Sequence, residues 1–260
     1  MQGLSGKAIL VTGGNSGIGL ATATRLVAEG ARVMIHGLHQ ADAEAAAKAL
    51  GPNCAAVSGQ LTDETVPQKL VDATVQAFGR IDGLANNAGI SPRGVLGETT
   101  AELFAHTFAV NTRAPLMCAD AAIKAFRAQK SPGTILNIGS INALCGQADL
   151  TVYSMSKGAL VTMTRNHADA LGPEGIRVNQ LNVGWTFSAA EDATQQREGR
   201  KPGWEKELPK LFAPRGTLVQ PHEVAAHVAF WLSDDSAPAS GQIYELEQYP
   251  MVGRNRMQMV

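Results

Sequence analysis

Tyr153 and Lys157 stand four residues apart in a stretch, 152–171, that reads as a long helix, so their side chains share one face. A free phenol titrates near ~10, too high to act as a ready base at neutral pH. A lysine cation held beside it favours the phenolate and brings that value down. Such a pair can take a proton from an alcohol or return one to a carbonyl oxygen. Thirteen residues before the tyrosine, Ser140 follows the apolar run 133–139. A hydroxyl at the end of a strand can hold an oxygen on which charge develops.

A second group of residues points to a phosphate-bearing ligand. The apolar run 8–12 (AILVT) is followed by Gly13-Gly14-Asn15-Ser16-Gly17-Ile18-Gly19 and then by apolar residues at helical spacing. Gly13 permits a tight turn off the strand, Gly17 lets the backbone approach a pyrophosphate, and Gly19 lets helix pack on sheet. The N–H groups and dipole at the helix start favour the negative charge. The spacing G-x-x-x-G-x-G differs from the better-known G-x-G-x-x-G, and a glycine cluster after a strand can also be a plain turn.

Short apolar runs alternating with helical stretches must position these groups. Runs at 8–12, 32–36, 54–58, 83–86, 133–139, 176–183 and 242–246 read as strands, and 18–29, 42–50, 63–78, 98–129, 152–171 and 221–232 as helices. This alternation predicts a doubly wound parallel α/β sheet of the Rossmann type, about seven strands with helices on both faces. No linker divides residues 1–260, which are expected to form one dinucleotide-binding and catalytic domain. The stretch 188–217 breaks the rhythm: it is polar, contains Pro202, Pro209 and Pro214, and reads as a lid over the site.

At this point the sequence resembles the short-chain dehydrogenase/reductase family over nearly its whole length. The motif T-G-x-x-x-G-x-G is Thr12–Gly19, N-N-A-G is Asn86–Gly89, and Y-x-x-x-K is Tyr153–Lys157. The resemblance implies a hydride transfer between a nicotinamide cofactor and a secondary alcohol or ketone. In it Tyr153 is the acid/base, Ser140 holds the reacting oxygen, Lys157 reaches the nicotinamide ribose, and Asn111 helps to hold a proton-relaying water. The cofactor would lie along Gly13, Asn15, Ser16, Ile18 and Gly19, with Gly37, Leu38, Gln60 and Leu61 around its adenosine. Asn86, Gly89, Tyr153, Lys157, Thr186 and Ser188 would surround the rest. It further implies a homotetramer through helices 98–129 and 152–171.

The sequence departs from the family at several points. Where an acidic residue normally grips the adenine ribose, or an arginine a 2′-phosphate, this chain has His36-Gly37-Leu38-His39. A 2′-phosphate needs a cationic partner. Ser16 is neutral and Arg32 lies at the far end of its strand, so NAD is expected over NADP, with a partial charge on His36 or His39 as the route by which NADP could be accepted. Gln60 replaces the usual aspartate at the adenine edge, Val183 the proline before Gly184, and Glu247-Gln248-Tyr249 the usual D-G-G. Around the serine and lid, Asn142, Gln147, Trp185 and Trp204 are candidate substrate contacts. Amides and flat indoles suit a polyol or sugar-like molecule, although the same residues could serve ordinary packing.

Composition narrows the alternatives. With 22 basic and 23 acidic residues the net charge is −1, which gives no electrostatic reason to expect nucleic acid or a membrane surface as partner. The apolar run at 8–11 is too short for a secretory signal, and nowhere do about 18 apolar residues run together to span a bilayer. Cys54, Cys118 and Cys145 lack the spacing of a zinc site or disulfide framework, so no metal and a reducing, cytoplasmic setting are expected. Cys145 alone could be a nucleophile, but packing is the commoner use of a free thiol. A catalytically silent, nucleotide-binding regulatory module on the same fold is the competing reading. Such a protein should have lost Tyr153, Lys157 or Ser140, and none is lost. An epimerase or dehydratase would need a further substrate domain, for which 260 residues leave little room.

Overall fold

The structure, a computed structural model, describes residues 1–250; residues 251–260, part of the expected 1–260 domain, lie outside the described residues. Seven short strands carry the apolar runs: β1 (Ala8–Val11), β2 (Arg32–Gly37), β3 (Cys54–Ser58), β4 (Gly83–Asn86), β5 (Thr134–Ser140), β6 (Arg177–Val183) and β7 (Ile243–Leu246). They form one sheet in the order β3-β2-β1-β4-β5-β6-β7, every pair parallel. Parallel neighbours need crossovers, and helices supply them: α1 (Gly17–Ala28), α2 (Gln40–Leu50), α3 (Val66–Phe78), α4 (Ala101–Phe108), α5 (Ala114–Gln129), α6 (Thr151–Leu171), α7 (Ala189–Arg197) and α8 (Pro221–Leu232).

Both faces of the sheet are covered, so alternate residues of one strand enter different cores. Ile9, Val11, Val33, Ile35, Leu136 and Ile138 pack with Leu26 of α1 and Val224 and Val228 of α8. Leu10, Met34, Leu84 and Ile135 pack on the other face with Leu70 of α3 and Cys118 and Phe126 of α5. Chain order reverses at β1, whose neighbours β2 and β4 lie on either side, and α1 and α5 pack on opposite faces of the sheet, the topology that leaves a crevice at the carboxyl ends of the strands. In sheets of this kind that crevice is where ligands bind.

Two elements differ from the expected pattern. The stretch 98–129 is not one regular helix: Ala109–Arg113 between α4 and α5 forms a π turn, with Ala114 N–H reaching back five residues to the Ala109 carbonyl. Apolar periodicity cannot register a single inserted residue, and such turns concentrate at functional sites. The segment 188–217 contains α7 and a 3₁₀ turn, Trp204–Lys206. The α7 sequence AAEDATQQR has no apolar stripe to betray a helix. Its signals are at the ends: Ser188 caps it by accepting from Glu191 N–H, with Glu191 and Asp192 in the first turn and Arg197 in the last.

Candidate active site

The glycine loop lies at the carboxyl end of β1 and is held from three sides. Asn87 donates its side-chain amide to the carbonyls of Thr12 (2.9 Å) and Gly13 (3.2 Å), and the Thr12 hydroxyl accepts from the N–H groups of Asn87 and Ala88. Gly17 adopts φ +51°, and a side chain on Gly19 would overlap the Gly13 carbonyl. The third support is His36, at the end of β2 and buried. Its Nδ1 accepts from Gly13 N–H at 3.2 Å, which leaves Nε2 as the protonated nitrogen, 2.9 Å from the Gly59 carbonyl. Burial, opposed by the Gly59 bond, holds the imidazole below its ordinary value. The expectation that His36 could lend charge to a 2′-phosphate is therefore corrected: both nitrogens are engaged with the backbone and the ring is neutral.

Around the crevice, Asn15 packs against Gly37, where any Cβ would lie 2.9 Å from the Asn15 amide carbon. Leu38, Ser16 and Gln60 are exposed, whereas Leu61 is buried in the core, so its side chain is not a surface for a ligand. Ile18 packs against the core on the α1 side of the sheet. Asn86 turns its amide away from the crevice, donating to the Pro115 carbonyl and to Asn137 Oδ1. The side-chain-free glycine loop, half-buried at Gly13 and Gly17, and the helix start behind it fit a dinucleotide pyrophosphate. Thr186 bridges Val219, with Val219 N–H bonded to Trp185 and Phe187 N–H to Val219. In a parallel bridge this geometry turns the N–H and C=O of Thr186 itself the other way. The Ser188 hydroxyl caps α7, and Ser188 lies 3.8 Å from where a Gly17 Cβ would stand. The segment 188–217, the expected lid, thus starts beside the glycine loop.

Ser140 ends β5, beside Val183 of β6, and its hydroxyl accepts from Asn142 N–H at 3.2 Å. The same hydroxyl acts on the Tyr153 phenol and lowers it. Lys157, one turn along α6, is buried, donates to the Ile138 carbonyl at 2.8 Å, and lies 5.9 Å from the Tyr153 ring centre. Burial pushes Lys157 down to about 8. For Tyr153 the expected lowering by Lys157 does not occur among the protein's own groups. Burial raises it, the Ser140 bond lowers it, and the carboxylate of Glu191 raises it again. The physical reason is shared desolvation: phenol and ammonium are buried together, and each favours its neutral form.

Asn111 sits fully buried in the π turn. Its Oδ1 accepts from Ile90 N–H (2.9 Å), and its Nδ2 donates to the Ile90 carbonyl (2.8 Å) and Ser156 Oγ (3.0 Å). Both amide N–H groups are thereby occupied within the protein, so a water would meet Asn111 as a donor, at Oδ1 or at the main-chain carbonyl. Pro115, four residues on, has no N–H to give that carbonyl. A Cβ on Gly89 would lie 3.3 Å from Lys157 Nζ and 3.4 Å from Asn111 Oδ1, so the three residues meet at one point. Below them a buried relay ties α6 to the sheet: Asn86 to Asn137, Asn137 to Thr164, Thr164 to Gln180 and Gln180 to Asn182, at 2.7 to 3.0 Å. Scattered polar residues in otherwise apolar strands were its only trace in the sequence.

The substrate candidates divide. Asn142 lies next to Ser140, with Cys145 Sγ donating to its Oδ1 at 3.4 Å. Burial raises the Cys145 thiol, which argues against a nucleophile. Gln147 is exposed and donates to Asp149. Trp204 is buried inside the lid, stacked on Trp185 at 5.4 Å and bonded to Asp192, so it is the lid's own core and not a wall of the site. Trp185 is half-buried; its indole N–H donates to Glu191 Oε1 at 2.8 Å and its backbone N–H to Glu247 at 3.0 Å. Glu191 and Arg93 carry no signal of a site in the sequence, and Asn87 and Glu247 stand there only as members of the N-N-A-G motif and of the C-terminal departure, without the bonds the structure gives them. Arg93 pairs with Glu198 through two bonds, at 2.7 and 3.1 Å, and approaches Asp149 at 3.4 Å. It therefore ties the lid to the loop ahead of α6.

The chain is similar to known proteins over most of its length. A family model described as enoyl-(acyl carrier protein) reductase matches residues 13–247. Galactitol 2-dehydrogenase of Agrobacterium fabrum is 33% identical over 250 residues, covering 94% of this chain and 97% of its own. The NADP-dependent (R)-specific alcohol dehydrogenase of Lentilactobacillus kefiri is 32% identical over 242 residues, covering 92% and 94%. The crystal structure of levodione reductase matches with a TM-score of 0.88 at 30% identity, over 96% of this chain and 99% of that one.

Proposed function

Because the chain belongs to the short-chain dehydrogenase/reductase family, and is an oxidoreductase that moves a hydride between a nicotinamide cofactor and a secondary alcohol or ketone, we propose that it works on a polyol or sugar-like substrate with Tyr153 as the acid/base. The observation that carries the assignment is the buried Lys157 one turn from Tyr153 on α6, with Ser140 acting on the Tyr153 phenol, at the same carboxyl edge as the glycine loop. Tyr153 takes the hydroxyl proton during oxidation and returns it to the carbonyl oxygen during reduction. Ser140 holds that oxygen in place as its charge changes. Lys157, and a water on the Asn111 carbonyl, carry the proton onward. The cofactor supplies the hydride acceptor or donor, held by the glycine loop, Gly89 and the backbone of Thr186.

The same reading favours NAD. β2 ends in the buried Gly37 and is followed by the exposed Leu38, and His36 is neutral and engaged. Arg32 is spent on the carbonyls of Phe78 and Gly6 at the opposite edge. No fixed cation therefore meets a 2′-phosphate among these residues. His39, exposed ahead of α2, is the residue through which NADP would be accepted. Catalytic efficiency with both cofactors at pH 7 and pH 6 tests this; a clear NADP preference at both would overturn it.

The polyol reading is supported by the galactitol 2-dehydrogenase relative and by the polar groups of Asn142 and Glu191 near Ser140 and Tyr153. A panel of hexitols, simple secondary alcohols, steroids and an enoyl thioester, followed by cofactor absorbance, tests it. Turnover of hexitols is expected. Turnover confined to apolar ketones or to the enoyl thioester would contradict it. We place the chain in a homotetramer by the same family resemblance, with residues 1–260 acting as one catalytic unit.

A further inference from the structure

Glu191 lies in the first turn of α7, within the lid. Its position follows from the sheet. Ser140 on β5 pairs with Val183 on β6, Trp185 follows two residues later, and the Trp185 indole N–H is bonded to Glu191 Oε1 at 2.8 Å. Gln195 donates to the same oxygen at 3.0 Å from one turn farther along α7. Oε2 accepts no hydrogen bond among the described residues, although a carboxylate offers about four acceptor sites.

Nor does Glu191 form an ion pair among the described residues. Arg93, a cation that senses its charge, is held by Glu198 and Asp149. Arg200 stacks on the rings of Trp185 and Trp204. A half-buried carboxylate without a cation, fixed by two donors on one oxygen, keeps acceptor capacity on the other. It is suited to receive donors from outside.

We propose that Glu191 is a specificity-determining residue whose Oε2 accepts from a second hydroxyl of the substrate, next to the carbon that reacts, and so selects uncharged polyhydroxylated molecules over mono-alcohols and over anions. This rests on the oxidoreductase reading above and deepens its substrate class. A ketone oxygen cannot donate to a carboxylate, and Ser140 and Tyr153 already take it. A neighbouring hydroxyl can donate, and a charge-assisted bond of this kind is stronger than a neutral one. A substrate carboxylate or phosphate in that place would meet like charge. The electrostatics of the site agree: Glu191 is a group whose charge reaches the Tyr153 phenol and raises it, against the lowering by Ser140, while Lys157 stands one turn away on α6.

Glu191→Gln tests the assignment, because its amide oxygen can keep both bonds from Trp185 and Gln195 while the charge is lost. Efficiency with a hexitol should fall about tenfold relative to cyclohexanol, and a 2-hydroxy acid should gain. Titrating tyrosinate absorbance of the cofactor-free protein, with Tyr153→Phe subtracted, should show Tyr153 ionising at lower pH in Glu191→Gln than in the parent. An unchanged hexitol-to-cyclohexanol ratio, or an unmoved Tyr153 titration, would overturn the inference. If Glu191→Gln does not fold, Glu191→Asp keeps the charge and withdraws it by one methylene; an unchanged substrate ratio there counts against the inference equally. A parent enzyme inactive on every alcohol and ketone defeats the polyol reading itself, and the titration then judges the placement of Glu191 alone.

Discussion

Tyr153 and Lys157 could be paired from sequence because helical spacing fixes side-chain direction. Their electrostatics could not, because burial and the Glu191 carboxylate come from elements far away in the chain. His36 makes the same point. As a letter it is a potential charge; in the fold it is a neutral clasp between Gly13 and Gly59. Its folded value is depressed, so its contribution to stability is complete above the unfolded value, near ~6.5, and is lost as pH falls below it. His36→Gln can make both bonds without titrating. Melting temperatures measured from pH 7 down to pH 5 should fall less steeply for His36→Gln than for the parent; parallel curves would show that His36 carries no such role.

Among the elements, the strands and most helices were legible because they bury apolar residues at recognisable periods. Less legible were those whose form answers to the site. The π turn at Asn111 displaces the register by one residue, and α7 has no buried stripe, so neither leaves a periodic trace. The relay from Asn86 to Asn182 joins β4, β5, β6 and α6, and no local pattern links residues so far apart. The lid's attachment is of the same long-range kind, resting on Arg93, Glu198 and Asp149. These side chains are partly exposed, so salt should weaken the tie. Arg93→Gln should raise KM more than it lowers kcat and remove most of the salt dependence of KM, with faster hydrogen exchange in 188–217. Exchange equal to that of the parent would mean that the lid is held by its aromatic core alone.

Over the whole molecule, the sheet order and the crevice at β1 and β4 follow from strand–helix alternation, and they bring the glycine loop and Tyr153 to one edge. No helix among the described residues is long and apolar enough to cross a membrane. The proposed homotetramer would bury apolar side chains that one copy leaves uncovered. Phe104 stacks on Phe108 at 4.3 Å and stays 42% exposed; Leu116 and Met117 on α5 and Met155 on α6 are similarly uncovered. These lie in the two stretches expected to form a tetramer interface, and a monomer would leave them in water. Sedimentation at micromolar concentration should show a species of about four chains. A monomer would contradict that assembly without touching the chemistry.

The chemistry is tested most directly at Tyr153. Tyr153→Phe keeps the ring beside Lys157 and removes only the hydroxyl that exchanges the proton. Turnover of a hexitol that the parent oxidises, followed by cofactor absorbance at saturating substrate, should fall by ~100-fold or more while cofactor binding measured by calorimetry is retained. Turnover within about tenfold of the parent, roughly 1.4 kcal/mol in the barrier, would contradict the assignment of Tyr153 as the acid/base.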